Sequence, residues 1–525
     1  MALSRRRLLR HLSMAALGTA AAHPTQAADG DLNIYFGDLH NHGNVGYAQG
    51  SLRRTYEIAR NHLDFFAFTP HAWWHDIEHY EGSIEDKWVN GFAVTKARWP
   101  EVIKTAKEFD APGKFAVLAG YEWHSTHMGD YHVIFPDLDA ELYTPNTLEE
   151  LQAFVRKRGC IMSPHHPAVR MGRRGANFAK RDPKLAPLLE IYSEWGNAEH
   201  DRAPFPYIRH TEPGRWTKNT LQYRLAAGDR FGVIASTDDH LGYPGGYGEG
   251  LAAVLAPDLS RKSIHEALLD RRTYAVTGDR IALRFQLNGK IMGREMPYTR
   301  ERSMAVSVAG WDQLERVELL KNNRVIHRDF PVDRVPTAQS WSRPVLLRFE
   351  YGWGPWPALG ITRVCDWDFR FQLENATLEA VHPCFTPGPL EEGRRDRILD
   401  RSERGVRVQS FTALRQQVDD RSQKAVVLKL RGGPDSKITL HCDVPIKKTV
   451  TMTLRELAES SEVFYTGEFP RESALWNRLV FAEHWDTSFT VNDTGDGSQA
   501  DYYYVRAVQS NGQLAWSSPI WVEKR

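Results

Sequence analysis

Asp38-Leu39-His40-Asn41-His42 follows the apolar run Ile34-Tyr35-Phe36, which predicts the first strand of a domain. Side chains alternate across a strand with a period of two, so His40 and His42 point the same way. Two neutral imidazoles on one side begin a metal site, and imidazole suits Zn, Fe, Ni or Cu. A single His-x-His is as readily a pair of surface or core histidines; company elsewhere in the chain gives it weight. Of the 21 histidines, 15 lie within residues 29–278, and they recur at or just past the ends of apolar strands. His71 follows Phe65–Phe68, His165-His166-Pro167 follows Ile161-Met162, and Asp238 and His240 follow Val233-Ile234-Ala235. Glu122 follows Val117–Ala119, whereas His132 opens the strand His132-Val133-Ile134-Phe135. In α/β barrels functional groups converge on one mouth from the C-terminal ends of strands, and agreement of five strand ends is hard to obtain from unrelated loop histidines.

The elements that must position these groups alternate. Ser51 caps a helix over 52–61, a Trp-containing helix covers about 85–109, Thr147 with Glu150 forms a capping box for a helix that Gly159 ends, and a further helix runs over 260–271. Between them lie strands at 63–68, 115–119, 160–162, 188–192, 231–235 and 274–276. Strand–helix alternation over about 250 residues predicts a barrel or a doubly wound sheet. Beyond Gly278 the pattern is all-β, with hairpins at 317–327 and around the Asn511-Gly512 turn. The expected division is residues 1–28, 29–278 and 279–525, the last forming one or two β-sandwich-like lobes.

Composition is that of an ordinary globular protein: 525 residues, 42% hydrophobic and 25% charged, with no repeat at a fixed period. The first 28 residues contain Arg5, Arg6, Arg7 and Arg10, no acid, and the apolar stretch 12–22 before Ala27-Ala28. They read as a twin-arginine export signal, with an ordinary secretory signal or an uncleaved anchor as alternatives. The expected location is periplasmic or secreted. Without those four arginines the formal charge of +1 becomes −3, which gives no reason to expect nucleic acid as a partner. No stretch approaches the roughly 18 apolar residues of a membrane span. The four cysteines lack metal-ligand spacing; Cys365 and Cys384 are either a disulfide or buried thiols.

The ordered motifs GDLHNH, FAFTPH, GYEW, HVIF, HHP and STDDH resemble those of the PHP (polymerase and histidinol phosphatase) metallohydrolases over about residues 33–278. With the C-terminal Tyr502-Tyr503-Tyr504-Val505-Arg506 and Trp516–Trp521, the whole chain is similar to an exported PHP-like branch of undefined function related to the carbaryl (carbamate) hydrolases. The resemblance implies an α/β fold, a distorted (β/α)7 barrel followed by an all-β region, with two or three divalent ions (Zn, Mn or Fe) at its mouth. Carried over by position, His40, His42, Glu122 and Asp238 hold a first metal. Glu122 bridges to a second completed by His132 and His166, and His71 and His240 match a third site. Two departures stand out. Pro70 replaces the acid expected before His71, removing a carboxylate that would orient the imidazole, and the loop Gly46–Gly50 offers no ligand. The expectation is therefore a dinuclear centre, with His71 and His240 facing substrate or holding a weak third ion.

Such a centre is that of a hydrolase: paired cations roughly 3.5–4 Å apart activate a hydroxide and clamp both oxygens of a displacement. The expected catalytic residues are Glu122, Asp238, His71 and His240, the last two as proton donors. Arg170, Arg173 and Arg174 could meet a phosphate, sulfate or carboxylate; Trp74 and Trp123, with Trp73 and Trp195, would wall an aromatic or sugar-like leaving group. The expected substrate is a small-molecule phosphoester or related ester; the alternatives are a carbamate, carboxylic or sulfate ester, or a non-catalytic metal-containing binding protein.

Overall fold

The computed structural model describes residues 32–77, 83–207, 214–353, 364–387, 393–413, 423–469 and 471–525; the leader read at 1–28 lies outside them. In chain order come β1 (Asn33–Asp38), α1 (Leu52–His62), β2 (Phe65–Phe68), β3 (His71–Trp74), α2 (Ser83–Phe109), β4 (Ala116–His124), β5 (Tyr131–Ile134), α3 (Leu148–Arg158) and β6 (Ile161–Pro164). They are followed by β7 (Leu188–Ser193), β8 (Gly196–Asn197), α4 (Leu221–Ala226), β9 (Gly232–Ala235), β10 (Leu251–Ala256), α5 (Arg261–Leu269) and β11 (Thr273–Val276). Local chemistry sets the helix ends. The Ser51 hydroxyl accepts from the Arg54 amide at 3.3 Å, that of Thr147 accepts from Glu150 at 3.2 Å, and Gly159 stops α3 in the left-handed conformation at φ 67°. β2 is buried at all four positions, as suits a strand covered on both faces.

β1, β2 and β4 run parallel, pairing Gly37 with Phe65 and Phe65 with Ala116. The rest departs from a parallel barrel. β5 is antiparallel to both β4 and β6, and β10 is antiparallel to β1. The six-residue link between β4 and β5 is too short for a parallel crossover and enforces a hairpin. β7 and β9 are parallel in a separate three-stranded sheet. Among the described residues no ladder joins β6 to β7, and β9 meets β1 through one isolated bridge, Asn41 to Asp239. The expected distorted (β/α)7 barrel is thus replaced by a mixed α/β arrangement without a closed barrel.

The all-β region is antiparallel for the most part, and it is shared. Strands Leu314–Lys321, Asp501–Gln509, Leu514–Ser517 and Ile520–Val522 extend the large sheet beyond β11, where Ala275 pairs with Trp516. A separate eight-stranded sheet is built on two 21-residue strands, Val364–Cys384 and Lys424–Val444, over its own aromatic core of Phe349, Trp367, Phe369, Phe371 and Trp476. Cys365 and Cys384 are buried free thiols, which decides between the two readings of that pair. Among the described residues no helix is long and apolar enough to cross a membrane.

A buried cluster of imidazoles and carboxylates

The C-terminal ends of β1 and β9 are stitched together by Asp38. Its carboxylate accepts from the Thr237 hydroxyl at 2.6 Å and from the amides of Thr237, Gly245 and His40 at 3.0–3.2 Å. Burial pushes its carboxyl up to about 7 against the pull of those donors. The backbone follows: Asp238 donates to the His40 carbonyl at 2.9 Å and His42 to that of Asp239 at 3.0 Å. His40 and His42 therefore face Asp238 on the neighbouring segment after β9, as the two-residue spacing requires.

The ring atoms converge closely. His40 Nε2 and His42 Nε2 are 3.0 Å apart, and Asp238 Oδ1 lies 3.3 and 2.8 Å from them. The other oxygen of Asp238 meets His165 Nε2 at 3.1 Å. His165 Nδ1 bonds Glu190 at 2.7 Å, and the second Glu190 oxygen sits 3.4–3.5 Å from His132 Nε2 and His40 Nδ1. Glu122 forms the other focus: its Oε2 is 3.5–3.6 Å from the Nε2 atoms of His40, His42, His71 and His124. At the mouth, half-exposed His240 stands 3.4 Å from Glu194. These atoms form five overlapping groups that could hold a metal ion: His40/His132/His165/Glu190, His40/His42/Asp238, His71/Glu122/His124, His42/His71/His240 and Glu194/Asp238/His240.

Electrostatics inside the cluster pull in both directions. Burial lowers His42 to about 3, lowers His71 and His132 well below the usual imidazole range, and lowers His166 to about 4. At His165 burial is overcome by Asp238 and Glu190, which lift it to about 9. Glu122 is held down by the surrounding imidazoles despite its burial. Even so, Glu122 Oε2, Glu190 Oε2, both nitrogens of His124 and His132, and Nδ1 of His40, His42 and His71 make no hydrogen bond among the described residues. Buried polar atoms are normally hydrogen-bonded, so a concentration of orphaned lone pairs from imidazole and carboxylate is the donor set a divalent cation would complete.

Some expected residues sit elsewhere. The expectation placed His166 with His132 and let Glu122 bridge to both. In the structure His165 occupies that position, because the chain turns after β6 with His166 at a φ of 29°. His166 instead bonds Asp130 at 3.1 Å and packs on Trp195, and Glu122 pairs with His71 and His124. Trp123 points away from the cluster, since it alternates with Glu122 and His124 along β4; its indole donates to the Pro145 carbonyl in the core. Arg170 and Arg173 are exposed on the turn, while Arg174 folds inward, giving Nε and Nη2 to Asp130 at 2.9 and 2.6 Å between the rings of Trp74 and Trp195. Asp130 also faces His124 Nδ1 at 3.3 Å. His71 Nδ1 has no acidic partner, in keeping with Pro70, and the Gly46–Gly50 loop contributes Tyr47, whose ring stacks on His71 at 3.8 Å. Arg174 and Asp238 have positive φ values of 73° and 56°, sparsely populated backbone of the kind concentrated at binding sites.

The sequence does not single out His124, Asp130, Glu190 or Glu194, and it marks His165 only within His165-His166-Pro167, with the ligand role given to His166. His124 stands two residues after Glu122, the same alternation that marks His40 and His42. Glu190 is a lone acid inside an apolar strand, a second available signal.

A family model described as "Protein of unknown function (DUF3604)" matches residues 52–148 and 242–305. The first segment contains His71, Glu122, His124, Asp130 and His132, and the second starts two residues after His240. Curated relatives are uncharacterized proteins of Chlamydia trachomatis and Chlamydia muridarum, 28% and 27% identical over 271 residues, each match covering 46% of this chain and 43% of the relative. The chain thus spans less than half the length of the curated relatives it matches. A solved structure of a "two-domain protein containing predicted PHP-like metal-dependent phosphoesterase" from Bacteroides vulgatus aligns at a TM-score of 0.33 and 15% identity, over 58% of this chain and 83% of that one.

Proposed function

We propose that the protein is an exported metal-dependent hydrolase of PHP type acting on a phosphoester or related ester. The observation that carries this reading is Glu122 Oε2, buried and without a hydrogen bond, facing four imidazole Nε2 atoms at 3.5–3.6 Å. Buried polar atoms carry a cost when left unsatisfied, and a ligand that receives these lone pairs would remove it. In this reading His71, Glu122 and His124 hold one ion, and His40, His42 and Asp238 hold another, with His132, His165 and Glu190 offering a further position. When bound, such ions supply Lewis-acid activation of water and offset charge building on the ester.

The remaining chemistry falls to the chain itself. Asp238 touches three of the imidazoles and orients the attacking water. His240, half-exposed beside Glu194, is placed to hand a proton to the leaving group. Arg174 gives Nε and Nη2 to Asp130, its Nη1 makes no hydrogen bond among the described residues, and Trp74 and Trp195 flank it, which suits an anionic group attached to a planar one. Export rests on the Arg5-Arg6-Arg7 stretch, outside the described residues.

The test is a panel of nitrophenyl phosphate, phosphodiester, sulfate, carbamate and acetate esters, assayed with added Zn2+, Mn2+ or Fe2+, on the wild type and Glu122→Gln. Metal-dependent turnover of the phosphoesters that Glu122→Gln abolishes without loss of fold supports the reading. Turnover of carbonyl or sulfate esters alone moves the substrate class, and an inert wild type that still takes up metal favours a binding protein.

A further inference from the structure

Directly after His240 the chain enters Leu241–Gly250, a loop with glycines at four positive-φ positions. Its near side is fixed to the site. Asp239 Oδ1 accepts from the amides of Leu241 and Tyr243 at 3.0 and 2.6 Å, Gly245 donates to Asp38 at 3.0 Å, and Gln49 donates to the His240 carbonyl at 2.9 Å. The packing is close: a side chain at Gly245 would come within 2.8 Å of Leu63 and 2.9 Å of His62.

Its far side is anchored in the core of the eight-stranded sheet. Tyr243 is buried at 2% exposure within the aromatic cluster of Phe349, Tyr351 and Phe369, and its hydroxyl donates to Asp396 at 2.6 Å. Asp396 is in turn held by Lys424 Nζ at 2.8 and 2.9 Å and by the Ser410 hydroxyl at 2.5 Å. Four residues on, the Tyr247 hydroxyl accepts from Arg348 at 3.1 Å, and its amide donates to the Phe385 carbonyl at 2.9 Å. A buried ion pair inside an aromatic core contributes little net stability, because desolvation offsets the attraction. What it supplies is direction: the phenol of Tyr243 has one acceptor, in one place.

We infer that the C-terminal β region is a positioning element of the histidine site: through Tyr243 on Asp396 and Lys424, and Tyr247 on Arg348, it fixes the 241–250 loop that directly follows Asp238 and His240. Tyr243, Asp396, Lys424 and Tyr247 are positioning residues and touch no substrate. The role assigned to the loop rests on the metal reading proposed above; the anchoring of the loop does not.

Two measurements on Tyr243→Phe, Asp396→Asn and Tyr247→Phe in the full chain separate these. Amide hydrogen exchange reads residues 239–250, and titration with Co2+ alone, followed by its visible absorption, reads the metal groups. Phe371→Leu, which thins the same aromatic core without touching the hydrogen bonds to Asp396, controls for lost stability. The clamp predicts exchange of 239–250 accelerated about tenfold or more and Co2+ affinity weakened by about tenfold or more in the first three variants, with neither change in Phe371→Leu. Wild-type loop exchange in every variant that folds would overturn it, as would equal acceleration in Phe371→Leu. Accelerated exchange with an unchanged Co2+ isotherm would overturn the role at the site. A wild type that takes up no Co2+ would contradict the metal reading alone, and loop exchange would then decide the clamp.

Discussion

Two buried carboxylates in this molecule lie under equal cover and live in opposite circumstances. Glu199, 0% exposed, spends both oxygens: Oε1 accepts from the Tyr504 hydroxyl at 2.9 Å and Arg506 Nη1 at 2.8 Å, and Oε2 accepts from the Trp516 indole at 2.9 Å. Glu122, 1% exposed, keeps Oε2 without a hydrogen bond among four imidazoles whose own nitrogens are largely orphaned. Burial does not distinguish a structural polar cluster from a ligand site. The completeness of the hydrogen bonding does, because the fold can close every bond around Glu199 but leaves those around Glu122 for something else.

The largest effect expected from this contrast is in stability. Glu199→Ala removes the acceptor of the Trp516 indole, the Tyr504 hydroxyl and Arg506 Nη1, while Arg506 keeps its bonds to Glu318, and should cost about 3 kcal/mol in denaturant unfolding. Glu122→Ala in metal-stripped protein should cost less than about 1 kcal/mol. A reversed order would break the comparison. Next in size is the response to metal. Saturating Zn2+ or Mn2+ at a hundredfold over its dissociation constant should add about 2.7 kcal/mol to the wild type, and Glu122→Gln should forfeit most of that increment in a melting experiment.

A lone imidazole sharpens the contrast. His265 in α5 is 5% exposed, and among the described residues its Nε2 makes no hydrogen bond and no metal-binding group includes it. Burial lowers it to about 4, opposed weakly by Asp137. The unfolded chain then binds more protons than the native one between about pH 6.5 and 4, so stability falls as pH drops through that window, by at most about 1.4 kcal/mol per pH unit. His265→Leu should flatten that slope without altering metal uptake; a single orphan is packing, a cluster is a site. Smallest of all, Arg170→Ala on the exposed turn should change stability by less than about 0.5 kcal/mol, and it should leave ester turnover unchanged.

Much of this arrangement can be read in the chain. Ser51, Thr147 and Gly159 mark helix ends by local hydrogen bonding and backbone freedom, and local signals survive folding. His40 and His42 were legible because alternation on an extended chain needs no tertiary knowledge. The misplacement of His166 has a specific origin: β6 runs on to Pro164, two residues past the apolar pair Ile161-Met162, and the following turn decides which of two adjacent imidazoles faces inward. Glu190 stands out as an acid in Leu188–Ser193 but gives no sign of its partners, since His40, His132 and His165 reach it from the end of β1, from β5 and from just past β6. The barrel expectation failed at β5 and β10, whose antiparallel pairing depends on connection length and on distant partners rather than on strand–helix alternation. The anchoring of the 241–250 loop by Asp396 and Lys424 joins residues some 150 positions or more apart, beyond any local pattern.

The central claim is that the orphaned atoms around Glu122 and Asp238 are completed by divalent cations, and elemental analysis of the purified protein after reconstitution tests it most directly. The account predicts about two or more ions per chain, retained through desalting and reduced in Glu122→Gln and His40→Ala. A wild type with no divalent ion above background after exposure to Zn2+, Mn2+ and Fe2+ would contradict it.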